Sequence, residues 1–148
     1  MTAGFIPPPE WAEVAVQLKT SQSVTLNAEG VGTVSFSPDH ANQRWVIGGN
    51  NVPGINVFTN QPAAATVVPY CTLALNSSDI TQVGQNNQRG TSWGANNDTF
   101  AGAIDVGPCD YVSLLFYPPP GSSDAQIAAL AGVIATAVIT GTKYTRRA

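Results

Sequence analysis

SVTLNAEGVGTVSFSPD, residues 23–39, alternates apolar and polar side chains on either side of a glycine-containing break. Strict alternation puts successive side chains on opposite faces of an extended chain, the pattern of a half-buried β-strand. Val24 and Leu26 then share one face, as do Val34 and Phe36, and these four are the expected inward residues. Ala28-Glu29-Gly30 supplies a short turn with a glycine able to adopt positive φ, so the two runs are expected to form a hairpin. Pro38-Asp39 ends it.

The same pattern continues toward the C-terminus. Arg44-Trp45-Val46-Ile47 is a third strand, stopped by Gly48-Gly49, and Ile55 to Phe58 a fourth, bounded by Pro53-Gly54 and Pro62. Residues 67–75, VVPYCTLAL, place Cys71, Leu73 and Leu75 on one face. Pro69 cannot donate to a ladder, so it belongs at an edge, a bulge or the start of that strand. Residues 100–106 form another strand signal, broken by Gly107-Pro108. In DYVSLLFY, residues 110–117, apolar groups lie on both faces, which suits a central strand or a face held in an interface. Ser122-Ser123-Asp124 can cap a short helix through Leu130 with Gly132 at its end. A last strand runs from about Val133 to Tyr144. About eight strands and at most one short helix predict an all-β protein, an antiparallel β-sandwich of jelly-roll-like form.

Residues 1–21 differ from the rest and are expected as an extended, Pro-rich N-terminal arm, leaving 22–148 as the β-sandwich domain. Pro7, Pro8 and Pro9 fix three successive φ angles and remove three donors, which favours polyproline-like chain. Trp11 follows at once. An extended segment ending in an aromatic anchor suits docking onto a neighbour, and it equally suits a strap packed on its own domain. Residues 76–98 are polar and Gly-rich, with little apolar periodicity, and are expected as a long loop. Trp93 stands alone there among Asn86, Asn87, Arg89, Asn96 and Asn97, a combination that offers stacking area and amide hydrogen bonds for display or binding.

Only 10% of the 148 residues are charged, against roughly 25% in an average soluble protein. Asn, Gln, Ser, Thr, Gly and Ala stand where charge is missing. A chain that covers much of its surface with neighbouring subunits needs less charge than one facing water on all sides. Six Lys and Arg against nine acids, a net charge of −3, make nucleic-acid binding an unsuited role. Lys143, Arg146 and Arg147 are expected as a solvated basic tail. The Ala- and Thr-rich stretch 125–141 is uncharged but β-branched in its second half, so a strand rather than a membrane span is expected there. The N-terminus lacks the basic and apolar regions of a signal peptide, which points to synthesis in a reducing cytoplasm with Cys71 and Cys109 as buried thiols; a disulfide formed later, outside the cell, is the other outcome.

Catalytic equipment is sparse. Ser or Cys nucleophiles need a base, and the one histidine, His40, follows a strand in a Pro-Asp-His-Ala turn. Two cysteines and one histidine far apart do not make a zinc pattern. Asp98, Asp105 and Asp110 are too widely spaced for a calcium loop. Gly30 and Gly32 lack the Lys-Ser/Thr and helix that complete a phosphate loop. No catalytic residue, metal site or cofactor is expected, and a hydrolase with paired carboxylates is the weakest of the functional alternatives.

Val24, Leu26, Asn27, Gly30, Gly32, Thr33, Val34, Arg44, Trp45 and Val46 together resemble the opening of small β-sandwich proteins encoded by tailed phages of actinobacteria. Cys71-Thr72-Leu73, the GTSWGANND segment and the closing AVITGTKY resemble later motifs of the same family. The Pro-rich arm and the Ala-rich insert at 123–132 depart from it. The resemblance implies a non-enzymatic accessory virion protein, of the minor tail or capsid decoration type, made in the host bacterial cytoplasm. Its implied partners are other virion proteins and further copies of itself, a trimer being the form suggested. The alternative is a carbohydrate- or receptor-binding module that meets a host-surface glycan through the 76–98 loop.

Overall fold

Alternating burial along short runs is what the chain adopts. A computed structural model describes residues 13–49, 53–62, 65–75, 97–100 and 103–146. Nine strands and one helix lie among them: β1 (Glu13–Thr25), β2 (Gly32–Phe36), β3 (Gln43–Ile47), β4 (Ile55–Thr59), β5 (Tyr70–Leu75), β6 (Asn97–Phe100), β7 (Ile104–Val106), β8 (Val112–Tyr117), α1 (Asp124–Leu130) and β9 (Ile134–Arg146). Every described pairing is antiparallel. One sheet has six strands, with β1 on one side of β9 and β3 and β4 on the other, flanked by β7 and β6. The second sheet has the order β2-β8-β5. The two form an antiparallel β-sandwich of jelly-roll-like type.

The long strand β9 organises the larger sheet. β4 pairs with its first half and β3 with its second, while β1 pairs along its whole length. β3 and β4 are therefore one row interrupted by residues 48–54. Thr140 closes that interruption: its carbonyl accepts from Gly48 N–H at 3.0 Å and its N–H donates to Gly54 O at 2.8 Å. β6 and β7 are the next row, interrupted at the same level, because Ile55 faces Phe100 and Ile47 faces Ile104. The single strand expected over 100–106 is thus divided in two.

The core lies between the sheets. Leu18, Trp45, Ile47, Ile55, Val57, Ala135, Ala137 and Ile139 of the larger sheet meet Val34, Phe36, Cys71, Leu73, Val112, Leu114 and Phe116 of the smaller. A fully buried Val, Leu, Ile or Phe contributes about 1.5–3 kcal/mol, so this layer is the main stabilising term. β8 is central, as expected from its two apolar faces: Val112, Leu114 and Phe116 are fully buried, and Ser113 on the opposite face is buried as well.

Five sequence expectations are corrected. The runs 23–27 and 33–37 do not form a hairpin: β1 pairs with β9 and β2 with β8. The six residues from Leu26 to Val31 carry the chain across from one sheet to the other. Asn27 Oδ1 accepts from the N–H groups of Glu29 and Val31, and Gly30 takes φ +74° against the Leu130 side chain. Such a corner and a hairpin turn use the same residue types, which is why the local signal did not separate them. Second, residues 13–21, expected as part of the arm, are extended but belong to β1 and pair residue by residue with β9. Third, Lys143 and Arg146 are residues of β9 and not of a tail: Arg146 is exposed, but its N–H donates to Asn42 O. Fourth, Cys109 is exposed and only Cys71 is buried; no disulfide joins them. Fifth, Leu75, placed on one face with the buried Cys71 and Leu73, is exposed at the end of β5.

The helix forms where its capping signal stood. Ser123 is the N-cap, accepting from Gln126 N–H, while the Gln126 side chain returns to the Ser123 N–H. Leu130 anchors it in the core. Among the described residues no helix is long and apolar enough to cross a membrane.

Candidate assembly surfaces

Three surfaces stand out, and none is arranged for chemistry. The first is the outward face of the larger sheet. Because Trp45, Ile47, Ile55, Val57, Ala137 and Ile139 point inward, their neighbours Val46, Asn56, Phe58, Val138 and Thr140 point outward, and these are half-buried. An antiparallel sheet with a solvated face normally carries polar and charged groups there. Here Val46, Phe58 and Val138 stand half-buried on that face, with Asp105 of the edge strand β7 opposite Val46 and Arg44 beside it on β3.

The second surface is the corner where β1 begins. Arg44 on β3 reaches across β9 to Glu13 on β1, donating from Nε to Oε2 at 3.0 Å and from Nη2 to Oε1 at 3.1 Å. Its guanidinium also lies 4.2 Å from the centre of the Tyr144 ring on the intervening strand. Three strands are clasped by one side chain. The paired geometry suits Arg, whose planar fork matches a carboxylate. Arg44 holds the Glu13 carboxyl below the usual carboxylate range, first by hydrogen bonding, and Glu13 raises Arg44 for the same reason. The corner opens into a cleft of about 480 Å³ with Asn42, Pro108 and Arg146 on its walls.

The sign of that shift gives a pH dependence. A carboxyl whose folded pKa is depressed adds stability above its unfolded pKa, and the contribution is lost as pH falls through the folded value. Acidification below the ordinary carboxylate range is therefore expected to release the start of β1 from Arg44. Both groups are partly exposed, so the effect is local. Protection of the Val14 and Val16 amides, measured relative to the intrinsic exchange rate at each pH, should fall with acid in the natural chain, and a Glu13→Gln variant should show lowered protection there already at neutral pH. Exchange that is the same in both proteins at every pH would contradict the clasp.

The third surface is β1 itself, which has Leu18 as its one buried residue, with Val14 and Val16 40% and 45% exposed. Sequence reasoning missed it as a surface because residues 13–21 were assigned to the arm. The signal was present in the alternation of Val14, Val16 and Leu18.

The expected site residues are distributed unevenly. Pro7, Pro8, Pro9 and Trp11 of the arm lie outside the described residues, as do Asn86, Asn87, Arg89, Trp93 and Asn96 of the loop. Asn97, expected in that loop, is the first residue of β6 and pairs with Phe58. His40 is exposed in the turn after β2, its carbonyl accepting from Gln43 N–H. Asp110 Oδ2 accepts from Gly107 N–H in a tight turn, and Asp105 is exposed on β7. Among the described residues, no three His, Cys, Asp or Glu side chains come together as metal ligands. Two side-chain polar atoms are buried without a protein partner there, Asn56 Oδ1 and the Trp45 Nε1–H, and Trp45 borders a cleft of about 260 Å³ that also meets Lys19, Asp39 and Lys143.

No family model matches the chain, and no curated protein matches it. Among solved structures it is similar to a chain of the acidic stable capsid of Helicobacter pylori bacteriophage KHP30, at 8% identity and a TM-score of 0.47, covering 90% of this chain and 93% of that one. It is also similar to a chain of turnip yellow mosaic virus, at 8% identity and a TM-score of 0.42, covering 99% of this chain and 86% of that one.

Proposed function

We propose that this chain is a non-enzymatic structural subunit of a virion, an accessory minor tail or capsid decoration protein of a tailed bacteriophage. The observation that carries the proposal is the set of half-buried apolar side chains, Val46, Phe58 and Val138, on the outward face of the larger sheet, where the charged groups are the paired Arg44 and Glu13 at one corner and Asp105 on the edge strand β7. A sheet with apolar groups on both faces is covered on both when it functions. The low charge of the whole chain supports the same reading, since neighbouring subunits replace solvent over much of the surface. Docking falls to the N-terminal arm, with Pro7, Pro8, Pro9 and Trp11 as the contact to other virion proteins, and further copies of the chain assemble beside it. The subunit is made in the host cytoplasm and resides in the particle.

Purified particles of the encoding phage are expected to contain this chain in multiple copies by quantitative mass spectrometry. A chain lacking residues 2–12, which precede β1, should fold with unchanged circular dichroism and fail to enter particles when it is supplied in place of the natural one. Absence of the natural chain from particles, or normal incorporation of the truncated one, would overturn the proposal and the arm's role respectively.

A further inference from the structure

Strand edges that stay exposed in monomeric proteins are blunted by shortness, proline, bulges or several charges, because a row of unpaired N–H and C=O groups otherwise recruits another strand. β1 has few of these protections. It runs for 13 residues without proline or glycine, and its register against β9 is unbroken from Glu13 to Thr25. Lys19 is its one lysine. Among the described residues only β9 pairs with it.

The direction of its free hydrogen-bonding groups can be read from β9. Ile134 and Thr140 use their backbone groups toward the β3–β4 row, accepting from Asn60 and Gly48, and Thr140 also donates to Gly54. Even-numbered residues of β9 thus bond to that row and odd-numbered ones to β1. Leu26 N–H, donating to Val133 O in the same register, agrees. On β1 the even residues consequently face β9, and the N–H and C=O groups of Glu13, Ala15, Gln17 and Lys19 point away from the sheet.

We infer that this free edge pairs antiparallel with the same strand of a second copy, about a two-fold axis through Val16. One register makes the strand complementary to itself. Glu13 then faces Lys19 of the second copy, Ala15 faces Gln17, Val14 faces Leu18, and Val16 faces Val16. The outward-pointing residues Glu13, Ala15, Gln17 and Lys19 become the hydrogen-bonded pairs. Val16 becomes a non-hydrogen-bonded pair, where Cα atoms approach to about 4.5 Å and side chains touch. Val14 and Val16, the exposed apolar residues of the strand, are covered by the same step. The Glu13 carboxylate has acceptor sites for Lys19 of the second copy on the side away from Arg44, and opposite charges facing each other across a ladder are favourable. The result is an isologous contact, with the same patch on both subunits, that joins two six-stranded sheets into one. It stands independently of the virion reading, because it rests on the edge alone.

Cross-linking tests it. In a Cys109→Ser background, Val16→Cys is expected to form a disulfide-linked dimer of the full chain under mild oxidation, since Cα atoms about 4.5 Å apart lie within disulfide reach. Lys19→Cys in the same background should not, because the two copies of that position are about 20 Å apart in this register. Light scattering should find the natural chain dimeric, and Val16→Lys should weaken the dimer at least about tenfold, since like charges then face each other across the axis, with no change in circular dichroism. Linkage at both cysteine positions or at neither, or a natural chain that stays monomeric at high concentration, overturns the pairing; particle incorporation is read separately and does not enter this result.

Discussion

Phe116→Ala is expected to cost about 3–5 kcal/mol of folding stability, a large fraction of the roughly 5–15 kcal/mol that a folded domain holds in reserve. Phe116 is fully buried on the central strand β8, and its ladder neighbours are Gly32 on β2 and Cys71 on β5. Gly32 has no side chain to move into the space a missing ring would leave. The opposite sheet is held in place by the unbroken pairing of β9 with β1 over thirteen residues, which resists its closing in. A cavity therefore persists, and cavity volume adds to the lost transfer energy. Urea unfolding of the variant should show a lower midpoint with an unchanged slope. Leu115→Ala, on the other face of the same strand and half-buried, is the comparison and should cost much less. Equal losses at the two positions would mean that the core does not lie between the sheets as described.

Gly141→Ala is expected to cost about 3 kcal/mol or more, although it adds a single methyl group. Gly141 lies on β9 opposite Ile47 and Leu18. A Cβ there would run into the Val46 carbonyl oxygen and come within 2.9 Å of Ile47 Cα. Both obstacles are backbone atoms of a paired strand, so neither can swing aside as a side chain would. The close approach occurs where the β3–β4 row is interrupted and folds in against Thr140. Gly121→Ala is the control: its φ is +83° but nothing lies within 4 Å of the added Cβ, so it should lose only about 1–2 kcal/mol from the left-handed backbone. Thermal or urea unfolding of the pair separates collision from backbone strain. Comparable losses at both glycines would contradict the tight approach of β3 to β9.

The particular residues that were legible in the sequence share a property. Val34 and Phe36, Trp45 and Ile47, Ile55 and Val57, and the Val112-Leu114-Phe116 series each declare a strand through alternation within a few residues. Ser123 and Gln126 declare a helix start through a capping pattern just as local. Arg44 was legible only as part of a strand. Its clasp on Glu13 spans 31 positions and three strands, and no spacing in the sequence announces it. The exposed valines of β1 were read as arm for a related reason: Val14 and Val16 alternate like a core-facing strand, and only the position of the smaller sheet leaves them uncovered.

By itself, then, the sequence determined the class of fold: antiparallel strands in a sandwich and one capped helix. Period-two burial and turn chemistry are local physics, and local physics is written in neighbouring residues. Which strand lies beside which was decided only in three dimensions. The segment 23–36 satisfies a hairpin and a sheet-crossing corner equally well, and it became a corner because β9, more than a hundred residues away, offers β1 thirteen consecutive partners. Pairing energy depends on what the rest of the chain can bring to an edge. For the same reason the outer edge of β1, the surface most open to a second copy, became visible only once its inner edge was occupied.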